Sequence, residues 1–332
     1  MTLPQSMRSW VSGAEPGLAH LALKTVDVPA PKAGEVLVEV EAAALNFSDL
    51  LMIDGQYQVR PPRPFVPGQE VAGRIAVVPE GSRWQVGQRV AAKVYWAGFA
   101  EYAIVRDHMI LPLPDAIGFA QGAALPVVYT TAMVALHHTT QVRQGQSVLV
   151  HAAAGGVGLA AVEIAHAAGA RVIATAGSSE KLALAESRGA AVTINYRDAD
   201  WKDQVKTATA GKGADIIVDS VGGDVALQSL RCIARGGSLL IVGFASGQIA
   251  QLPSNLLLLK QASARGVIWD HELDGPMLED ISVQLIDLLN AGKINPVAHM
   301  GYGLDDLPKA LGELGNRQST GKLVLTIKRS EA

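Results

Sequence analysis

His151-Ala152-Ala153-Ala154-Gly155-Gly156-Val157-Gly158 follows a short apolar run at residues 147–151 and opens a helix-like stretch at 157–168, which stops near Gly169. A small-residue turn leading from a strand into a helix is the setting that a dinucleotide diphosphate requires. Ala153 and Gly155 keep the turn tight and let backbone amides approach the phosphates. Gly156 and Val157 begin the helix whose N-terminal N–H groups face them, and Gly158 lets helix and strand pack closely. Ala153 stands where the usual fingerprint has its first glycine, which narrows the backbone angles open there. A glycine turn alone is also compatible with a tight strand–helix connection that holds no ligand, so its surroundings decide.

Those surroundings alternate. Apolar runs at 171–175, 191–195, 214–219 and 238–244 are separated by helical stretches at 179–187, 200–209 and 224–233. This rhythm implies right-handed crossovers and a parallel sheet, and the nearly unbroken apolar runs fit strands covered on both faces. Before Gly122 the pattern differs. Short β-rich runs at 36–42, 71–78, 89–94 and 100–105 are punctuated by Pro79, Gly81 and Gly87, which reads as an all-β or barrel-like unit. From Trp269 onward come helices at 277–290 and 307–314 and a β-like run at 322–328. This tail is expected to fold back onto the first zone. The expected division is therefore a discontinuous domain of residues 1–122 and 269–332 around a nucleotide-binding domain of 123–268.

The chain has 332 residues, room for two domains, with 49% apolar and 18% charged residues. Its formal net charge of −3 disfavours nucleic acid, whose binding depends on Lys and Arg neutralising phosphates. A single cysteine, Cys232, rules out an internal disulfide framework and a Cys-based zinc cluster. The opening residues, with Pro4, Gln5, Ser6 and Arg8, do not read as a signal peptide. No apolar tract approaches the roughly 20 residues that span a bilayer. A cytoplasmic location is the expectation.

The end of the second strand in the alternating zone bears on the choice of dinucleotide. An NAD site wants an acid there for the ribose 2′-hydroxyl. The chain instead reads Ala174-Thr175-Ala176-Gly177-Ser178-Ser179. Ser178 can hydrogen-bond a 2′-phosphate, Lys181 adds positive charge, and Tyr196 closes the third strand, so NADPH is favoured over NADH. Ser178 and Ser179 are equally able to cap a helix.

The chain as a whole resembles the medium-chain dehydrogenase/reductase superfamily in its zinc-independent quinone oxidoreductase (zeta-crystallin-like) branch. The residues that carry the resemblance run the length of the chain: 44–49 (Ala-Leu-Asn-Phe-Ser-Asp), 54–57 (Asp-Gly-Gln-Tyr), 67–73 (Pro-Gly-Gln-Glu-Val-Ala-Gly), Thr131-Ala132, 152–158, Val221-Gly222-Gly223, 243–247 (Gly-Phe-Ala-Ser-Gly) and Thr320-Gly321-Lys322. The resemblance implies an α/β protein built of a GroES-like β-barrel catalytic domain and a Rossmann domain with a doubly wound parallel sheet. It implies a homodimer through the edge strand opening at Ala264 and closing at Trp269. Zinc relatives place a Cys at the position of Asn46, a His at Gln69 and a Cys within 125–131, and none of these is present.

Without a metal, preorganised donors must stabilise charge on the substrate oxygen. The resemblance points to the Asn46 amide and the Tyr57 hydroxyl. Asn46 with Asp49 reads equally as the cap of a short helix, and Tyr57 as a packed aromatic. Thr131 is expected at the nicotinamide carboxamide, and Gly243, Phe244, Ala245 and Ser246 beyond the fifth strand are expected to line the nicotinamide pocket. Lys322 is a candidate for a cofactor phosphate, with solvated surface charge as the plainer account. The implied activity is that of an NADPH:quinone oxidoreductase, hydride transfer to a quinone or α,β-unsaturated carbonyl. A 2-enoyl thioester reductase and a non-catalytic NADPH-binding protein, crystallin-like or RNA-binding, remain open alternatives.

Overall fold

The structure, a computed structural model, describes residues 3–327. It divides into two compact units, one of Met1–Val127 with Pro296–Ala332 and one of Val128–Asn295.

The first unit opens with an antiparallel pair, β1 (Ser6–Ser12) and β2 (Leu21–Asp27). The central strand is β3 (Glu35–Ala44), followed by a short helix, α1 (Phe47–Ile53), and then by β4 (Glu70–Val77), β5 (Arg89–Lys93), β6 (Tyr102–Arg106) and β7 (Ile110–Pro112). Val36, Leu37, Val38 and Val40 are all fully buried, so β3 is covered on both faces. It hydrogen-bonds β4 and β6, and β5 and β7 continue the sheet beyond β4. Helix α2 (Phe119–Ala123) packs on β3 and β4. A Cβ at Gly122 would lie 2.7 Å from Leu113 Cδ2 and 3.3 Å from Ala72 Cβ, so any side chain here would push the Leu113 tip aside.

The second unit alternates: α3 (Val128–Met133), β8 (Ser147–Val150), α4 (Gly156–Ala167), β9 (Arg171–Ala176), α5 (Ser179–Ser187), β10 (Val192–Asn195), α6 (Trp201–Ala208), β11 (Ala214–Asp219), α7 (Gly223–Ser229), β12 (Ile233–Ile241), α8 (Ser254–Lys260), β13 (Ser263–Gly266) and α9 (Gly275–Asn290). Its six strands are parallel, in the order β10-β9-β8-β11-β12-β13. Counted from β8, that is the doubly wound 3-2-1-4-5-6 arrangement, whose order reverses between β8 and β11. The chain then returns to the first unit as β14 (Ala298–Gly303), α10 (Leu307–Gly315) and β15 (Lys322–Thr326), with β15 inserted between β14 and β3.

Several expected boundaries need correction. The tail rejoins the first unit at Pro296 rather than at residue 269. Helix α9 stays with the second unit because Leu278, Ile281, Leu285 and Leu289 form a buried stripe at helical spacing and the helix packs on α3. The buried Glu163 secures this end of the unit, accepting the Asn295 N–H at 3.0 Å and the Tyr129 hydroxyl at 2.7 Å. The first crossing comes after Val127 rather than Gly122, since α2 belongs to the β3–β4 face. The helix expected at 224–233 ends at Ser229: Ile233 is buried and already paired with Ala214 in the sheet. The strand after it is likewise longer at its start than expected. The last expected run ends at Thr326 as a strand, and Lys328 lies outside the described residues. No helix among the described residues is long and apolar enough to cross a membrane.

Candidate active site

The small-residue turn lies at the carboxyl end of β8, beside the point where strand order reverses. Ala152 adopts a left-handed conformation, φ 48°. The Gly155 N–H donates to Ala152 O at 2.9 Å, and Gly155 is the N-cap of α4. Gly155, Gly156 and Val157 are half-exposed. The N–H groups of Gly156, Val157 and Gly158 occupy the first turn, where no carbonyl four residues back can accept them, and they carry the positive end of the helix dipole. Gly158 is packed hard against the turn: a Cβ there would fall 2.3 Å from Ala152 O.

Ala153 departs from its expected part. It is buried, and its N–H donates to Thr175 O at 3.0 Å. It ties the turn to β9 instead of offering an amide to a ligand. His151 anchors the same turn from below. Its Nδ1 lies 2.8 Å from Thr175 Oγ1 and its Nε2 2.8 Å from Ser229 Oγ. The Ser229 hydroxyl donates to Val225 O, so it accepts from Nε2–H, and Nδ1 accepts from Thr175. Burial holds the ring neutral by lowering its pKa to about 3.

At the end of β9, Ser178 is the N-cap of α5, and its Oγ accepts the Lys181 N–H at 3.4 Å. The next strand end stands alongside. A Cβ at Gly177 would lie 2.8 Å from the Tyr196 hydroxyl oxygen and 3.3 Å from Arg197 Nε. Arg197 went unnoticed in the sequence, although it adjoins Tyr196 and supplies an exposed guanidinium to the same strand ends. Ser178, Lys181, Tyr196 and Arg197 thus offer hydroxyl and cationic donors at one edge of the nucleotide half.

Beyond β12, the turn through Gly243, Phe244, Ala245 and Ser246 is tied to the end of β11. The Ala245 and Ser246 N–H groups donate to Ser220 O at 3.0 Å and Val221 O at 2.9 Å. Asp219, fully buried, accepts the Val221 N–H at 2.9 Å and the Gly222 N–H at 3.1 Å, a structural part. Thr131 Oγ1 accepts the Trp269 indole N–H at 3.0 Å. Tyr129 is buried, and its hydroxyl donates to Glu163.

In the first unit a polar cluster gathers at the start of α1. The Asn46 N–H donates to Asp49 Oδ2 at 2.7 Å, so the helix-cap reading of this pair describes its backbone. The Asn46 side chain has other work. Nδ2 donates to Glu70 Oε1 at 3.0 Å, and Oδ1 accepts from Lys322 Nζ at 2.6 Å. Lys322 corrects the expectation most sharply. It is neither a phosphate ligand nor a solvated charge: it is 5% exposed, and its ammonium is enclosed by Leu45 O, Asn46 Oδ1 and the fully buried Glu70 carboxylate. The cause is the placement of β15 beside β3. The second Glu70 oxygen accepts the Val127 N–H at 2.9 Å.

Close by, the Ser48 hydroxyl donates to Gln69 Oε1. The half-buried Tyr57 phenol lies beside both. Burial and then the Asp49 charge push its pKa up, which keeps it a donor, while Ser48 and Gln69 offset part of the rise by hydrogen bonding. Burial raises the Asp49 carboxyl to about 7. These residues do not fit a zinc ion. Amides stand at 46 and 69, their oxygens already serve an ammonium and a hydroxyl, and Cys232 is buried in the other unit. A zinc centre takes thiolate, imidazole or carboxylate ligands.

Two family models match the chain: "Alcohol dehydrogenase GroES-like domain" over residues 32–115 and "Zinc-binding dehydrogenase" over 156–287. The chain is 40% identical over 303 residues to the quinone oxidoreductase-like protein 2 homolog of Nematostella vectensis, covering 89% of this chain and 82% of that one. It is 35% identical to the quinone oxidoreductase of Rattus norvegicus, covering 91% and 92%. The crystal structure of Escherichia coli quinone oxidoreductase complexed with NADPH is similar over 96% of this chain and 99% of that one, at a TM-score of 0.88 and 29% identity.

Proposed function

Because the chain belongs to the quinone oxidoreductase family of the medium-chain dehydrogenase/reductase superfamily, we propose that it is an NADPH:quinone oxidoreductase that transfers hydride to a quinone or α,β-unsaturated carbonyl without zinc. The observation that carries this reading is the donor set of the first unit: neutral amide and phenol groups at the polar cluster, with the Lys322 ammonium held by three oxygens.

NADPH supplies the hydride. The first-turn amides of α4 would hold its diphosphate, and the turn at 243–246 would line the nicotinamide. As the new C–H bond forms, the conjugated electron pair moves onto the acceptor oxygen, where neutral donors stabilise it. A proton from solvent completes the balance: an enone gives the saturated carbonyl, and a quinone gives hydroquinone once the ring carbon that took the hydride loses its proton and the second oxygen gains one, with NADP+ left in each case. Quinones and enones spread the charge by conjugation, so they need a Lewis acid less than a simple ketone does. Following NADPH oxidation with benzoquinone, menadione, cyclohexenone and acrolein tests the reading. Turnover with at least one is expected, and none with any would refute it.

The same proposal assigns the 2′-phosphate to Ser178, Lys181, Tyr196 and Arg197. Hydrogen bonds to charged groups contribute about 1.5–3 kcal/mol. Arg197→Ala should therefore raise KM for NADPH about tenfold or more and leave KM for NADH unchanged. An equal effect on both coenzymes would remove Arg197 from the phosphate site.

The working form is proposed to be a homodimer in the cytoplasm. β13 is an edge strand, and Leu258, Leu259, Ile268 and Leu273, in the chain segments before and after it, are each more than 70% exposed, a combination that calls for a partner. Ile268→Lys should weaken self-association by about tenfold, the effect of a 1.4 kcal/mol loss. Sedimentation velocity checks this, and a wild-type monomer at all concentrations would end the proposal.

A further inference from the structure

We propose that the Gln69 side-chain amide is a substrate-contacting donor, acting with the Tyr57 hydroxyl on the acceptor oxygen, and that Ser48 is the residue that positions it. The proposal rests on the hydride-transfer reading and deepens it, moving the donor role from Asn46 to Gln69.

Asn46 is poorly placed for that role. Its oxygen takes the Lys322 ammonium and its nitrogen donates to Glu70, so both ends of the amide are held by the buried ion pair. It belongs to the charge-balanced interior. Gln69 is equally buried but differently engaged: its side chain hydrogen-bonds Ser48 and the Tyr57 phenol and touches no ion pair. Its Oε1 accepts the Ser48 hydroxyl proton. An amide oxygen can only accept and an amide nitrogen can only donate. Holding the oxygen on Ser48 therefore commits the Gln69 Nε2–H groups to the other side of the amide, as donors.

Three segments bring the groups together. Ser48 stands in the first turn of α1, Tyr57 in the loop after it, and Gln69 just before β4. The Gln69 carbonyl accepts the Val94 N–H at 2.8 Å, and the Tyr57 N–H donates to Leu51 O at 3.1 Å, so both backbones are tied. Ser48 and Tyr57 are half-buried, so the buried Gln69 amide is approached along their side. The phenol stays protonated over the working pH range, since burial and the Asp49 charge oppose its ionisation.

Two neutral donors suit an uncharged carbonyl whose oxygen becomes negative only as hydride arrives. They offer no counter-ion to a carboxylate or phosphate next to the reacting carbon. The predicted substrate class is therefore uncharged quinones and enones, with enoic acids poor.

The test uses the full chain with Gln69→Met, Ser48→Ala and Ser48→Thr. Three quantities are measured: kcat and KM with menadione, NADPH affinity by fluorescence titration, and binding of para-nitrophenolate, an oxyanion probe, to the NADP+-loaded protein. Gln69→Met should lower kcat about 100-fold, the usual loss for one oxyanion donor. It should also weaken para-nitrophenolate binding while NADPH affinity stays at the wild-type level, which confirms that the variant is folded. Ser48→Ala should lower kcat with KM unchanged, and Ser48→Thr should restore it. Wild-type kcat and wild-type probe binding in Gln69→Met would overturn the proposal. Should the wild type turn over no acceptor, the hydride-transfer reading fails separately. Probe binding then still decides the donor pair: loss in Gln69→Met supports it and retention overturns it.

Discussion

Lys322→Met is expected to destabilise the protein by about 3–5 kcal/mol, the cost of leaving one member of a buried ion pair without its partner. Glu70 is fully buried, and Lys322 is 5% exposed. In the variant the Glu70 carboxylate would keep only the Asn46 amide and the Val127 N–H. For a unit of this size the loss corresponds to a fall in Tm of about 10 °C. Glu70→Gln in the same background should recover most of it, because replacing both ends of a buried pair is often nearly neutral. The four proteins form a double-mutant cycle readable by thermal denaturation. The experiment also separates two accounts of this lysine. A phosphate ligand at 322 would lose NADPH affinity and keep its Tm. That outcome, rather than the reverse, would sink the assignment made from the structure.

Gly158→Ala is expected to abolish tight NADPH binding and to lower stability by about 1–3 kcal/mol, the usual cost of overpacking. The added Cβ would sit 2.3 Å from Ala152 O, 2.8 Å from Ala153 Cα and 2.9 Å from Ala152 C. All three are backbone atoms of the turn, so no side chain can swing aside. The turn must open, and the amides of Gly156 and Val157 move with it. A loss of about 2.8 kcal/mol in binding is roughly 100-fold in Kd. Gly155→Ala is the matched comparison. Its φ is −81°, and its Cβ would meet only Ala152 O, at 3.3 Å. Stability should hold there. Fluorescence titration with NADPH and denaturant melts of both variants check the pair, and wild-type affinity in Gly158→Ala would refute the role of the turn.

These two variants mark the reach of the sequence. Gly158 was legible because everything it touches is within a few residues of it. The alternating half was readable for the same reason. Each strand lies beside a neighbour one crossover away, and unbroken apolar runs such as 214–219 can serve only as strands covered on both faces. The helix of residues 179–187 and its serine cap likewise announce themselves locally. Errors fell where local pattern was silent. Helix α9 reads as amphipathic from its sequence, but no periodicity says which unit its stripe of Leu278, Ile281, Leu285 and Leu289 will meet. Arg197 is one residue beyond Tyr196, yet only the parallel alignment of β9 and β10 brings its guanidinium to Gly177.

By itself, then, the sequence determined the family, the doubly wound sheet, the phosphate-facing turn and the absence of zinc-ligand side chains at 46 and 69, because each is written in residue types and short spacings. Only the tertiary structure decided the roles of the polar side chains in the first unit. Lys322 and Asn46 are 276 residues apart in the chain, and the insertion of β15 beside β3 makes them partners. That contact converts a supposed phosphate ligand into a buried counter-ion. It also withdraws the Asn46 amide into the interior. A side chain's chemistry depends on what encloses it, and enclosure is set by strand pairing across the whole chain rather than by the neighbours in sequence.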